Sequence, residues 1–135
     1  MNHMSVSDLK AKYHLERLDK RSFTPRDVSA LNTLRLELKM SGLPAGATAL
    51  QMDPLTHSDV GDTLREDTVV LVARESADRR IVGMGMLHTF CKWGHCVGWV
   101  EEVVTLEAWH RNGIGRAINI ELITRARLKA AQKSI

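Results

Sequence analysis

The chain has 135 residues, of which 44% are hydrophobic and 26% are charged, and its formal net charge is +3. These values are typical of one globular domain and exclude a disordered or fibrous protein. The weak positive charge suits an anionic small molecule, but it is too small to indicate nucleic-acid binding, and we expect none.

No apolar run reaches the length of about 18 residues that a membrane span needs, so we expect no membrane association. The N-terminus lacks the apolar centre of a signal peptide, and we expect residues 1–9 to be disordered or to be an expression-vector remnant. The chain has two cysteines, too few for a disulfide framework, which favours a reducing cytoplasm.

The first elements in chain order are a short strand over residues 13–18 and a long helix that follows it. Thr24 is a typical N-cap, Pro25 suits the first helical position, and Asp27 occupies the acidic position of a capping box. Apolar residues then recur at three- and four-residue spacing, which predicts one buried helical face: Val28, Leu31, Leu34 and Leu38.

Residues 41–47 ("SGLPAGA") form a turn-rich break. Residues 48–66 stay ambiguous, because Pro54 and Gly61 interrupt a loosely amphipathic helical pattern.

The second half of the chain predicts three strands and a C-terminal helix. The strands cover residues 68–74, 81–90 and 96–106, with a hairpin loop at 92–95. The helix runs from Gly113 to the end of the chain, and its sheet-facing residues lie four apart: Ile114, Ile118, Leu122 and Ala126.

Gly113 and Gly115 stand at the junction between the last predicted strand and this helix. Glycines there let the backbone approach a ligand, and the first helical N–H groups attract a phosphate. The segment "HRNGIGRA" lacks the first glycine of a Rossmann turn and the Lys-Ser/Thr pair of a P-loop. From spacing alone, a phosphate site and a plain tight turn remain equally open.

The order of the elements, together with "VVTLEAWHRNGIGRAI", resembles the GCN5-related N-acetyltransferase (GNAT) family over about residues 10–135. Gly113 and Gly115 match the two glycines of the family's Q/R-x-x-G-x-G/A motif, and Trp109 takes its aromatic position. His110 stands where Gln or Arg is usual, which is a departure from the motif. The resemblance implies an α/β fold with a mixed, largely antiparallel sheet flanked by helices.

The resemblance also implies an activity, the transfer of an acetyl group from acetyl-CoA to an amine-bearing acceptor without a metal. Pyrophosphate would rest on the backbone amides of residues 111–116, and the pantetheine arm would lie along the end of the last strand. The implied binding residues are Val104, Thr105, Leu106, Arg111, Asn112, Gly113, Ile114, Gly115 and Arg116.

The family normally continues with a further strand, a helix and a final pair of strands, so we expect a C-terminally short version of the fold. That part often supplies a tyrosine that protonates the leaving thiolate, and the only tyrosine here is Tyr13. The last predicted strand would also keep an unpaired edge, which favours a homodimer.

Glu101 and Glu102 are the candidate catalytic bases, because an attacking amine must lose a proton. On a regular strand they would point to opposite faces. We favour Glu102, which would share a face with Val104. The alternative is that both carboxylates pair with Arg or Lys on neighbouring elements.

The segment "CKWGHC" (91–96) brings two cysteines and a histidine together, but no second ligand pair accompanies it, so a hairpin is favoured over zinc. The leading prediction is an acyl-CoA-dependent N-acetyltransferase. The alternative is a non-catalytic acyl-CoA-binding or interaction module.

Overall fold

A computed structural model describes residues 12–41 and 53–133. The predictions for residues 1–9, for 42–47 of the turn-rich break and for 48–52 lie outside these ranges. The elements in chain order are β1 (Tyr13–Arg17), α1 (Pro25–Ser41), α2 (His57–Thr63), β2 (Thr68–Glu75), β3 (Ile81–Lys92), β4 (His95–Thr105), a 3₁₀ turn (Glu107–Trp109) and α3 (Ile114–Lys133).

The four strands form one sheet in the order β1-β2-β3-β4, and every neighbouring pair is antiparallel. The predicted α/β architecture is therefore confirmed. The described part of the sheet is wholly antiparallel. The chain passes from β1 to β2 through α1 and α2, whereas short turns join β2 to β3 and β3 to β4.

Helices cover both faces of the sheet. Helices α1 and α2 bury one core against it, with Leu31 and Leu34 of α1 at its centre. Helix α3 buries the other core, and Ile118 and Leu122 are fully buried there as the four-residue spacing predicts. Gly85 on β3 permits this close contact, since a Cβ at that position would lie 2.5 Å from Cγ2 of Ile118.

The predicted N-cap of α1 is confirmed. The amide of Asp27 donates to Thr24 Oγ1 at 3.2 Å, and the amide of Thr24 donates to Asp27 Oδ2 at 3.1 Å, which makes a capping box. Asp27 is 4% exposed and also accepts two hydrogen bonds from Arg74, whose guanidinium binds Glu16 on its other side. The start of α1 is thereby fixed to β1 and β2.

The ambiguous region contains a short helix that begins with a second capping box between Thr56 and Asp59. The segment before it is held to α1 by Asn32, whose side chain exchanges two hydrogen bonds with the backbone of Leu55, at 3.0 and 2.7 Å. The capping box and the side chain of Asn32 therefore stabilise a helix that the interrupted apolar pattern of residues 48–66 did not clearly predict.

The hairpin between β3 and β4 is tighter than the predicted loop at 92–95. Trp93 and Gly94 both have positive φ, 55° and 82°, which suits a two-residue hairpin turn. Cys91 and Cys96 pair across the strands in a disulfide. The hairpin interpretation is confirmed, and the expectation of a reducing compartment is at odds with this bond.

Within the described ranges, none of the helices combines the length and the apolar character needed to cross a membrane.

Candidate functional site

A β-bulge interrupts β4 at the two predicted bases. Met84 pairs with Val104 and Met86 pairs with Glu101, so two residues of β4, Glu102 and Val103, lie opposite the single residue Gly85. The extra residue takes a positive φ of 55° at Glu102, which is uncommon for a residue with a side chain and is a form of strain often found at functional sites.

The bulge places Glu101 and Glu102 on the same face of the sheet, and the prediction of opposite faces is wrong. On either side of them, Val100 and Val103 pack into the α3 core, which leaves both glutamates on the α1 side. A regular strand alternates at every residue, but one extra residue shifts the alternation, so two neighbours share a face.

The two carboxylates have different surroundings. Glu101 is exposed, and its Oε1 lies 2.6 Å from Nε2 of His88, whose Nδ1 lies 3.3 Å from Thr68 Oγ1. Glu102 is half-buried and lines a cavity with Met84 and Met86. Within the described part of the chain Glu102 has no hydrogen-bond partner, and neither glutamate pairs with Arg or Lys.

The turn before α3 presents unpaired backbone N–H groups. The first hydrogen bond of the helix runs from Ala117 N to Gly113 O, at 3.0 Å. The amides of residues 111–116 have no intramolecular acceptor among the described residues. Arg111 and Gly113 both have positive φ, 71° and 74°, which turns the chain sharply here. Such a series of free amides at the positive end of a helix dipole binds anions.

Two polar side chains hold the turn in place. His110 Nε2 donates to the carbonyl oxygen of Thr105 at 2.9 Å, which ties the turn to the end of β4. Asn112 Nδ2 donates to the carbonyl oxygen of Trp109 at 2.9 Å. Both side chains therefore stabilise the backbone conformation of the turn.

A cavity of about 480 Å³ lies between the end of β4, the second half of α1 and this turn. It collects most of the predicted binding residues. Its lining is Glu37, Leu38, Val103, Val104, Thr105, Trp109, His110, Arg111, Gly113, Ile114 and Gly115. Three predicted residues lie outside it: Leu106 packs into both cores, Asn112 braces the turn, and Arg116 is exposed on the first turn of α3.

A second cavity of about 180 Å³ lies between α1, α2 and the sheet. Consecutive residues of β4 line the two cavities, Glu102 the smaller one and Val103 the larger one. The bulge therefore stands between them. This arrangement can hold two ligands, one on either side of the bulge.

Three residues at this site were not predicted from the sequence. Glu37 enters the larger cavity from α1, His88 approaches Glu101 across β3, and Arg35 lines the smaller cavity. A usable signal exists only for Arg35, a cation next to the apolar stripe of α1. The described residues contain no cluster of His, Cys, Asp or Glu that could hold a metal ion.

No protein-family model matches the chain, and the comparison with curated proteins also gave no match. Solved structures do match. An acetyltransferase from Trypanosoma brucei is 24% identical with a TM-score of 0.65, over 87% of this chain and 77% of that one. Glucosamine-6-phosphate N-acetyltransferase from Arabidopsis thaliana is 16% identical with a TM-score of 0.58, over 87% and 76% of the two chains.

A GCN5-related glucosamine N-acetyltransferase region of a fungal multi-domain β-N-acetylglucosaminidase is 12% identical with a TM-score of 0.63. It is matched over 88% of this chain and 13% of that longer one. At these identities the likeness establishes architecture rather than activity. The chain has the GCN5-related N-acetyltransferase fold.

Proposed function

We propose that the protein is an N-acetyltransferase that transfers the acetyl group of acetyl-CoA to a primary amine by direct attack. One observation carries the proposal: the unpaired amides of residues 111–116 head a cavity that runs along β4 to the bulge at Glu102. The acetyltransferases among the structural neighbours support it.

The turn fits the pyrophosphate of coenzyme A. Gly113 is exposed, and a Cβ added there would meet nothing within 4 Å, so an anion can come close to the backbone. Arg111 is exposed beside the amides and adds positive charge. Backbone donors together with a guanidinium form a typical phosphate site.

The outer edge of β4 fits the pantetheine arm. Among the described strands β4 pairs only with β3, so N–H and C=O groups on its other side have no strand partner. Pantetheine carries two amide groups that can bond to such an edge as an added strand does. Val103, Val104 and Thr105 would flank the arm from this edge.

Glu102 is the proposed general base. It accepts the amine proton as the amine nitrogen bonds to the carbonyl carbon of the thioester. The carbon–sulfur bond then breaks, and the coenzyme A thiolate leaves and is protonated from solvent. Its half-buried position at the bulge, between the two cavities, supports this role.

We also propose that two copies of the chain associate through the region of the β4 edge. Three apolar side chains near it are exposed by 52%, 38% and 58%: Phe90, Val97 and Trp99. Unpaired backbone beside apolar side chains is rarely left uncovered in a stable monomer.

The test of the function is thiol release from acetyl-CoA, followed with a thiol reagent over a panel of primary amines. Amine-dependent release is the expected result. Tight coenzyme A binding with no release over the whole panel would instead indicate a non-catalytic acyl-CoA-binding module.

A further inference from the structure

The smaller cavity combines an apolar lining with two opposite charges. Aliphatic and methionine side chains from both helices and the sheet form most of its wall. Arg35 of α1 and Glu102 of β4 are its charged residues. They do not form an ion pair in the described structure, so each charge is available to a third group.

Arg35 carries an unsatisfied donor. Its Nη1 is buried and has no hydrogen-bond partner within the part of the chain that the structure describes. Buried polar groups nearly always have a partner, because an unpaired donor in an apolar environment is costly. A guanidinium nitrogen that has no hydrogen-bond partner and belongs to a cavity-lining residue therefore indicates a ligand with a hydrogen-bond acceptor.

Asp59 interacts electrostatically with Arg35, but its carboxylate is already engaged in other hydrogen bonds. Asp59 Oδ2 accepts the amide of Thr56 at 2.9 Å in the capping box of α2. Hydrogen bonds from the backbone and side chain of Thr56 lower the pKa of Asp59, and the charge of Arg35 lowers it further. The charge of Arg35 therefore affects Asp59, but the two side chains do not form a salt bridge in the described structure.

We propose that the acceptor amine carries a carboxylate or phosphate, and that Arg35 binds this anionic group while Glu102 faces the amine. The inference rests on the proposed acetyltransferase function and narrows its substrate class. The planar guanidinium matches the oxygens of a carboxylate or phosphate, which often accept two parallel hydrogen bonds from it. A molecule with both an ammonium and an anion complements this pair of charges.

The size of the cavity restricts the ligand further. At about 180 Å³ it lies below the range of about 300–1,000 Å³ typical of pockets for drug-sized molecules. A small amino acid or the anionic end of an amino-sugar phosphate suits it. Polycationic amines are disfavoured, since a second positive charge would meet Arg35.

Two matched pairs of amines test the inference and separate its two anion sources. Glucosamine 6-phosphate is compared with glucosamine, and L-alanine with ethylamine. In at least one pair, we expect kcat/KM for the amine that carries the anionic group to exceed kcat/KM for the amine without it by roughly tenfold to a hundredfold, the range of a charge-assisted hydrogen bond. If only glucosamine 6-phosphate is preferred over its partner, the anionic group of the natural acceptor is a phosphate. If only L-alanine is preferred over its partner, that group is a carboxylate.

The variant Arg35→Met should remove this preference through KM, and Arg35→Lys should keep part of it because the charge remains. Arg26→Met is the matched control, since Arg26 lies on the same helix but pairs with Asp78 at the surface. Its preference should equal that of the wild type. Equal preference in Arg35→Met and the wild type, or no preference in the wild type, would overturn the inference.

Binding separates this inference from the proposed function. The same pairs are titrated by calorimetry into protein saturated with coenzyme A. Selective binding of an anionic amine that Arg35→Met abolishes supports the anion site even if no amine is acetylated. If amines are acetylated but both members of each pair bind equally well, the proposed acetyltransferase function stands and the proposed anion site is wrong.

Discussion

Glu101 and Glu102 are adjacent in the sequence, yet both lie on the α1 side of the sheet, because the bulge opposite Gly85 adds a residue to β4. One carboxylate contacts His88 at 2.6 Å, and the other lines the smaller cavity. The bulge therefore gives two chemically identical side chains different surroundings.

The replacement Glu102→Gln should lower kcat by roughly 10²-fold at neutral pH, because it removes the group that takes the amine proton. Coenzyme A affinity should be unchanged, and the loss should shrink at higher pH, where more of the amine is already neutral. Glu101→Gln is the matched control, with a smaller loss expected. Steady-state kinetics from pH 6 to 10 measure both, and the reverse order of losses would assign the base to Glu101.

Replacing Gly113 with Val should weaken coenzyme A binding at least about tenfold, which corresponds to about 1.4 kcal/mol. Gly113 has a φ of 74°, and the added side chain would project into open space where the pyrophosphate is proposed to lie. The hairpin residue Gly94 is a close control, with a φ of 82° and nothing within 4 Å of an added Cβ.

Gly94→Val should carry a similar backbone strain and bind coenzyme A normally by calorimetry. If a folded Gly113→Val protein binds as tightly as Gly94→Val, the turn is not the pyrophosphate site.

Asp27→Asn should destabilise the fold by about 1–3 kcal/mol at pH 7, because Arg74 loses a buried charged partner. Burial by itself would raise the pKa of Asp27, but hydrogen bonds from Arg74 and Thr24 outweigh it and lower the pKa. Stability from a lowered carboxylate pKa is present above the unfolded value of about 3.9 and is lost as the pH falls through the folded value.

The difference in the free energy of unfolding between the wild type and Asp27→Asn should therefore be largest near pH 7 and should decrease below about pH 4. Urea unfolding at several pH values measures it. Asp78→Asn is the control. Asp78 pairs with Arg26 at the surface, so this substitution should lower the free energy of unfolding only slightly. A gap that does not change with pH would show that the Asp27 charge is not what stabilises the fold.

Light scattering at micromolar concentration should give about twice the 15.1 kDa chain mass if two copies associate near the β4 edge. Trp99→Lys places a charge on the exposed apolar region and should shift the distribution towards monomer. Lys92→Ala, on the same hairpin, leaves that region apolar and should not. A monodisperse wild-type monomer would contradict the proposed dimer.

Much of the fold was predictable, because periodicity and capping are local. The spacing of Leu31, Leu34, Ile118 and Leu122 placed both long helices correctly, and each of these residues is buried. The turn at 111–116 was recognisable because glycines at a strand-to-helix junction have a physical consequence for the backbone.

The bulge was not predictable in the same way. Nothing local in "VEEVV" marks which residue is extra, because the bulge is a property of the pairing with β3 rather than of β4 alone. The isolation of Arg35 depends likewise on what α2 and the sheet place around it, far away in the sequence. The disulfide was not predicted, because two cysteines are too few to reveal a pattern in the sequence. The register of β3 and β4 places Cys91 directly opposite Cys96, and this pairing allows the bond.

The proposed acetyltransferase activity is best tested by measuring thiol release from acetyl-CoA in the presence of a primary amine. We expect amine-dependent release by the wild-type protein and strongly reduced release in Glu102→Gln and in Gly113→Val. Glu102→Gln should still bind coenzyme A. Release that is equal with and without any amine in the panel, or that both variants retain in full, would contradict the proposed activity.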